Sequence, residues 1–285
     1  MAHPIKQHYV PQFYLRNFKD TSQENEVIHC FNTKTKKSYS SSISKVAQKK
    51  YFNESSENNL EYKLSAIEKE SSKYIHNLVK NKKYKYLNDF NIRSNIAYFM
   101  SLQYIRTNDK REWIKNNSYE LKEEISQEIE IPDKFKDLFD EFPSDEHIKD
   151  WHLNYIEKFS KKFFKYFYFK KWILIKNNTK LNFWTSDNPI AVWNPSNPPG
   201  LAQESTFIFF PISPKLCICL ADPMFYSNLD KMRNIDLIQN ILRTTSFKFS
   251  DDEDVRNTNV IQVHSCNLTV FSKKDDFDIL KHTPF

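Results

Sequence analysis

His8, Gln12 and Arg16 stand four residues apart near the start of the chain, among Tyr9, Phe13, Tyr14, Leu15 and Phe18. Polar groups at that spacing share one side of a segment whose large apolar residues pack on another. An imidazole titrates near neutrality and works as general base or acid. An amide orients a substrate, and a guanidinium grips carboxylate or phosphate with two donors. A second amide–guanidinium pair occurs at Gln103 and Arg106. Ile92, Ile96, Phe99, Gln103 and Arg106 follow one another at steps of four, three, four and three, so one apolar helix stripe runs into both polar groups. Burial without partners costs several kcal/mol for the charge and about 1–3 kcal/mol for the amide. A carboxylate or phosphate is therefore expected to meet Arg106; a buried ion pair or a solvent-reaching helix end are the structural alternatives. Thr185-Ser186-Asp187-Asn188-Pro189 closes a short aromatic strand. Asp187 at its end is placed to orient His8 or a metal and Asn188 to orient substrate, although the same residues also suit an Asx-type turn stopped by Pro189.

The opening HPIKQHYVPQFYLRNF from His3 to Phe18 is followed by SLQYIRT (Ser101–Thr107), NFWTSDNPI (Asn182–Ile190), FFPISPKL (Phe209–Leu216) and MRNIDLIQNILRTTSFKF (Met232–Phe249). In this order, over nearly the whole chain, they resemble an uncharacterised, mainly bacterial family, domain of unknown function 4238. The resemblance brings no reaction with it. Accessory bacterial families of this kind include antiviral and toxin-like effectors, and it implies such a role as an expectation.

The residues must be positioned by an α+β fold. An N-terminal hairpin (Glu26–Asn32 and Lys37–Ile43) and a helical bundle should pack on a mixed or antiparallel sheet formed mainly by the C-terminal half. Helices are predicted over Asn59–Asn81, Asp89–Arg106, Asp109 to about Glu130, and Asp145 to about Phe169, with Pro132 and Pro143 as punctuation. Strands are predicted at Trp172–Lys176, Leu181–Thr185, Ala191–Trp193, Phe207–Pro211 and Leu216–Leu220. A helix from about Asp230 to Phe247 and strands near Val260–Val263 and Leu268–Phe271 complete the reading. The expected organisation is one domain over 1–285, mainly helical to about 170 and mainly strands plus one helix from about 171.

Composition excludes more than it includes. The chain has one glycine in 285 residues, where roughly twenty would be usual. Phosphate-cradling loops need glycine for close backbone approach, so no P-loop, nicotinamide or flavin fingerprint is expected. The same scarcity, with abundant Lys, Asn, Ile and Tyr, also fits an A+T-rich genome. No apolar run approaches a membrane span and no signal-peptide core follows the start, so a cytoplasmic location is expected. Four scattered cysteines argue against a disulfide framework. Cys217 and Cys219, with His264 and Cys266, would form a zinc site only if two strands carried them side by side. A divalent metal at Asp187 is a further expectation without named partner ligands.

Nucleic acid or a nucleotide is the expected partner, from the net charge of +6 and the run KKFFKYFYFKKW (Lys161–Trp172). That run equally suits an amphipathic core helix with a solvated basic face, and Asp251–Asp254 reads as a solvated acidic loop. Three function classes follow. The first is a nuclease-like hydrolase of a phosphate-bearing substrate: His8 as base or acid, Arg106 on phosphate, Asp187 as orienter, and Gln12, Gln103, Asn188 and Arg16 binding substrate. With no convincing Ser or Cys nucleophile, water would attack. The second is a non-catalytic nucleotide- or nucleic-acid-binding module. The third is a structural polar network with no active site.

Overall fold

The structure is a computed structural model that describes residues 4–129, 131–195, 198–222 and 245–281. The chain opens with β1 (Lys6–His8), which pairs antiparallel with β4 (Gln48–Lys50) and sets His8 opposite Gln48. Pro11, with φ near −60°, turns the chain into the one-turn helix α1 (Gln12–Leu15). β2 (Val27–Asn32) and β3 (Lys37–Ser42) form the expected hairpin. β2 also pairs with β11 (Thr269–Ser272), which pairs with β6 (Thr185–Ser186), giving a four-stranded antiparallel sheet that ties the two ends of the sequence together.

Between these lie α2 (Glu61–Asn81), α3 (Phe90–Ile105), α4 (Asn108–Glu128), α5 (Asp133–Asp140) and α6 (Asp145–Tyr168). Local chemistry sets their starts. The Asp89 carboxylate accepts the Ile92 N–H at 3.0 Å, and Ser144 and His147 form a reciprocal capping box at the head of α6. α3 packs on α6 and α2. The second sheet runs β10 (Ser246–Phe249), β5 (Lys171–Asn177), β9 (Leu216–Ala221), β8 (Phe207–Ser213), β7 (Ala191–Trp193), antiparallel except for the parallel β10–β5 pair. One apolar cluster draws on both halves, joining Tyr14, Phe99 and Phe167 to Ile218 and Phe210. The α+β class is as the sequence indicated.

Several local expectations are corrected. Val260–Val263 is not a strand but part of α7 (Asp252–Ser265). Its buried positions Val255, Thr258, Asn259, Gln262 and Val263 follow helical spacing, which the apolar V-I-Q-V tetrad obscured. Asp251–Asp254 is no solvated loop: Asp251 caps α7 through the Glu253 N–H, and the acids after it meet the positive end of the helix dipole. Leu181–Thr185 shrinks to the two-residue β6. The helix placed at Asp230–Phe247 lies mostly outside the described residues, and its end is strand β10. Lys161–Tyr168 is the end of α6, whose Phe163, Phe164, Tyr166 and Phe167 pack into the core. Among the described residues no helix is long and apolar enough to cross a membrane.

Glycine scarcity leaves a mark on the backbone. Lys36, Ala47, Tyr51, Lys82 and Ser205 all take positive φ, a region that costs side-chain-bearing residues roughly 1 kcal/mol each. Lys82 ends α2 at φ 52° and ψ 32°, donating its N–H to the Leu78 carbonyl at 2.8 Å, the position where glycine ends most helices. Lys82→Gly should raise stability by about 1 kcal/mol, read as a higher urea midpoint at unchanged slope.

His152 on α6 is fully buried. Its Nε2 donates to the Ile105 carbonyl at 2.9 Å, and its Nδ1 accepts from Arg111 Nε at 3.1 Å. Arg111 also reaches the Phe52 carbonyl at 2.6 Å and lies 3.7 Å from the Phe52 ring centroid. Burial first, and the Arg111 charge second, push the imidazole down to about 3. The unfolded ring, near 6.5, takes a proton that the folded ring refuses. This contribution is therefore complete above pH 6.5 and is lost as pH falls towards 3, by up to about 1.4 kcal/mol per pH unit. Thermal midpoints measured from pH 7 to 5 should fall more steeply for the natural chain than for His152→Gln.

Candidate functional site

The polar residues of the opening segment lie along a groove of about 360 Å³ between that segment and α2. His8, Gln12, Phe13 and Arg16 form one wall; Glu61, Ser65, Glu68, Lys69 and Ser72 form the other. A neighbouring hollow of about 510 Å³ shares Phe13, Arg16 and Ser72 and adds Lys73 and His76. On α2, Ser65, Lys69, Ser72 and His76 succeed one another at steps of four, three and four, one face of the helix turned to the groove.

A chain of hydrogen bonds fixes the wall. Arg16 Nε donates to Glu26 Oε1 at 2.7 Å and its Nη2 to Gln12 Oε1 at 3.1 Å. A guanidinium only donates, so the amide oxygen of Gln12 must face it and the amide nitrogen must face His8, where Nε2 lies 3.4 Å from Nδ1. His8 Nδ1 is then an acceptor, and the ring is the neutral tautomer protonated on Nε2, which is buried without a partner of good geometry. Burial pulls the His8 pKa below its ordinary value. The nearby Ile43 carbonyl opposes this, and the Arg106 and Arg16 charges add to it. The neutral base form prevails at neutral pH.

The first turn is anchored from beneath by α3. Arg106 is 1% exposed, and its two terminal nitrogens are committed: Nη1 to Glu68 Oε1 at 2.7 Å and Nη2 to the His8 carbonyl at 2.8 Å. Gln103 Nε2 donates to the Tyr9 carbonyl at 2.9 Å. Burial lifts the Glu68 carboxyl above its usual range, while Arg106 pulls it back down. Thus Arg106 and Gln103 hold the backbone of the groove wall, and neither lines the groove. Of the carboxylate or phosphate expected to meet Arg106, the structure supplies a carboxylate of the protein itself, which makes the buried ion pair of the structural alternative. Sequence reasoning missed Glu68, yet a signal existed. Leu64, Glu68, Ser71, Ile75 and Leu78 form the inward stripe of α2, so its apolar face carries one acid just as the apolar face of α3 carries one base.

Asp187 and Asn188 stand elsewhere. The Asp187 carboxylate is 3% exposed and accepts the backbone N–H groups of Asn267, Leu268 and Thr269 at 2.9, 2.9 and 3.0 Å. Burial raises its pKa to about 6 against those three donors. Asn188 Nδ2 donates to the Ser265 carbonyl at 2.8 Å, and Gln262 reaches both Ser186 Oγ and the Asn188 carbonyl. These residues clasp the turn between α7 and β11 instead of facing an open edge, and they do not join His8 in the groove. Asp187 acts on the opening segment through its charge, felt at Tyr9, whose phenol is raised mainly by burial; the direct bond from this strand is Thr185 Oγ1 to the Tyr14 hydroxyl at 2.7 Å.

The soft-ligand arrangement does not form. Cys217 and Cys219 are buried in the apolar core through β9, while His264 sits on a helix. Among the described residues no group of three or more His, Cys, Asp or Glu could hold a metal ion.

The α+β fold agrees with what the sequence segments indicated. A model of the family described as protein of unknown function, DUF4238, matches residues 6–276, and the chain belongs to that family. No curated protein and no solved structure matches it.

Removing the carboxylate from the buried pair strands the Arg106 charge. Glu68→Ala should cost about 3–5 kcal/mol in denaturant unfolding. Asp187→Ala leaves three backbone donors unmet and should cost about 2–4 kcal/mol, while leaving the groove residues in place.

Proposed function

We propose that the protein is a hydrolase of a phosphate-bearing substrate, with nucleic acid as the leading class, and that the groove between the opening segment and α2 is its active site. One observation supports this above the others. His8 is held as a neutral base, with Nδ1 directed at a groove residue and Nε2 turned inward. Arg16 stands on one wall, Lys69 on the facing wall and Lys73 in the adjoining hollow, so cationic side chains replace the glycine-rich cradle that the sequence lacks.

In this reading the phosphate lies over Arg16 and Lys69, and its approach moves the Gln12 amide off Nδ1. A water between His8 and the phosphorus gives its proton to Nδ1 as its oxygen attacks. The bond to the leaving oxygen breaks, and the proton on His8 returns to that oxygen, so water is consumed and an alcohol and a phosphomonoester result. Gln12 and Ser65 orient the substrate. Arg106, Gln103, Asp187 and Asn188 are positioning and structural residues, not catalytic ones.

A second reading is favoured by the spent guanidinium of Arg106: the family motifs form a polar network that fixes the fold, and the groove binds a nucleotide or nucleic acid without turnover. The two part on His8. Hydrolysis of bis(p-nitrophenyl) phosphate and of short single-stranded RNA and DNA should be lost by about 100-fold or more in His8→Gln, with the thermal midpoint nearly kept. Lys69→Ala should raise KM more than it lowers kcat. Binding of these oligonucleotides without hydrolysis by the natural chain would establish the module, and neither binding nor hydrolysis would leave the network alone.

A further inference from the structure

A second cavity, of about 240 Å³, shares no residue with the groove and lies between α7 and the short helix α8 (Asp278–Lys281). Its walls are apolar: Leu181, Trp184, Val260, Ile279 and Leu280. Pockets for drug-sized ligands run to about 300–1,000 Å³, so this one suits a single ring with a short substituent.

The aromatic wall is rigid. The Trp184 indole donates Nε1–H to Asp276 Oδ1 at 2.9 Å, its ring lies 5.2 Å from that of Phe277, and its backbone N–H is held by Asn259 Oδ1 at 2.9 Å. Asn259 spends its other end on the Asn182 carbonyl, and Asn182 reaches Asp276 Oδ2 at 3.3 Å. Asn182, Trp184 and Asn259 thus hold one another in place. The basic side chains of α7 at the cavity are committed to much less. Arg256, Val260 and His264 stand at steps of four along one stripe of α7, with an apolar residue between two nitrogen bases. Arg256 approaches Glu253 only at 3.6 Å, longer than a hydrogen bond, and both side chains are about half exposed. A planar guanidinium suits a carboxylate, and His264, eight residues or about 12 Å further along α7, lines the far end of the same stripe. Asp276 also lines the cavity and accepts from the Trp184 indole, the Asn182 amide and the Ser272 hydroxyl, an acceptor-only carboxylate that a ligand donor can share.

We propose that this cavity binds a small aromatic carboxylate, its ring against Trp184 and Val260, its carboxylate on Arg256, and a ring hydroxyl or N–H directed at Asp276. The flat ring gains burial against a wall already held in place, so little ordering cost opposes binding. The site is independent of the hydrolase reading.

Calorimetric titration of the full chain with 4-hydroxyphenylacetate should give saturable one-to-one binding with Kd on the order of 0.1–1 mM. The matching alcohol, 2-(4-hydroxyphenyl)ethanol, should bind at least about tenfold more weakly, the worth of one charge-assisted contact. Arg256→Gln should bring the acid down to the level of the alcohol. Val260→Trp fills the cavity from a position that is 41% exposed and should abolish binding of the acid. His8→Gln should change none of these values, which separates this site from the groove. The proposal is overturned if the folded natural chain shows no saturable binding, if acid and alcohol bind alike, or if Arg256→Gln leaves the acid's affinity unchanged. Should Val260→Trp not fold, the Arg256→Gln comparison decides alone.

Discussion

The arrangement around the groove depends on one buried charge. Arg106 caps α3 at the end of its apolar stripe and is buried, where a guanidinium without partners would be prohibitively costly. Its partners come from two directions, the Glu68 carboxylate on α2 and the His8 carbonyl on β1. That geometry fixes three elements relative to one another. α2 cannot rotate without withdrawing Glu68, and the opening segment cannot slide without withdrawing His8. Such a pair adds little net stability over well-packed apolar residues, since desolvation offsets the attraction. What it supplies is a unique register: an apolar contact tolerates sliding, and a bidentate contact does not. The groove exists because the segment is held at that one height above α2.

The family-like segments thereby divide into different jobs. SLQYIRT provides Gln103 and Arg106, the clamp on the backbone of the groove wall. TSDNP provides Asp187 and Asn188, which clasp the turn before β11. FFPISP lies in β8, where Phe210 stacks on Tyr14 with centroids 5.1 Å apart. Among the described residues of these segments, only the opening one presents side chains to the groove. A shared motif set is thus mostly a set of devices for holding one short segment in place.

Much of this was legible because strong periodicity leaves little freedom. α2, α3, α6 and the strands β5, β7, β8 and β9 follow from apolar spacing, and the β2–β3 hairpin from the turn-like Thr33–Lys36 between its arms. β1 and β4 were not legible, being three polar-flanked residues each whose pairing is a tertiary event. α7 was misread because four residues cannot tell period two from period 3.6 when three of them are apolar. For the site, the anomaly at Arg106 was visible and its resolution was not: one stripe shows an unpaired charge, and only a second stripe shows the answer. Asp187 was misplaced for a different reason. The three donors that claim its carboxylate are backbone N–H groups, and the main chain carries no sequence signal.

The anchoring of Tyr14 has a consequence for synthesis. Its hydroxyl bonds to Thr185 Oγ1 at 2.7 Å and to the Pro211 carbonyl, 171 and 197 residues further along. A chain made from its N-terminus presents the opening segment first, yet the surfaces that seat it are finished only after β8 has left the ribosome. At about 5–20 residues per second, Tyr14 waits on the order of ten seconds or more for its seat, although Tyr9 and Phe13 meet Phe52 and Phe99 much sooner. The pocket for the Tyr14 hydroxyl is therefore among the last features to close as the nascent chain folds.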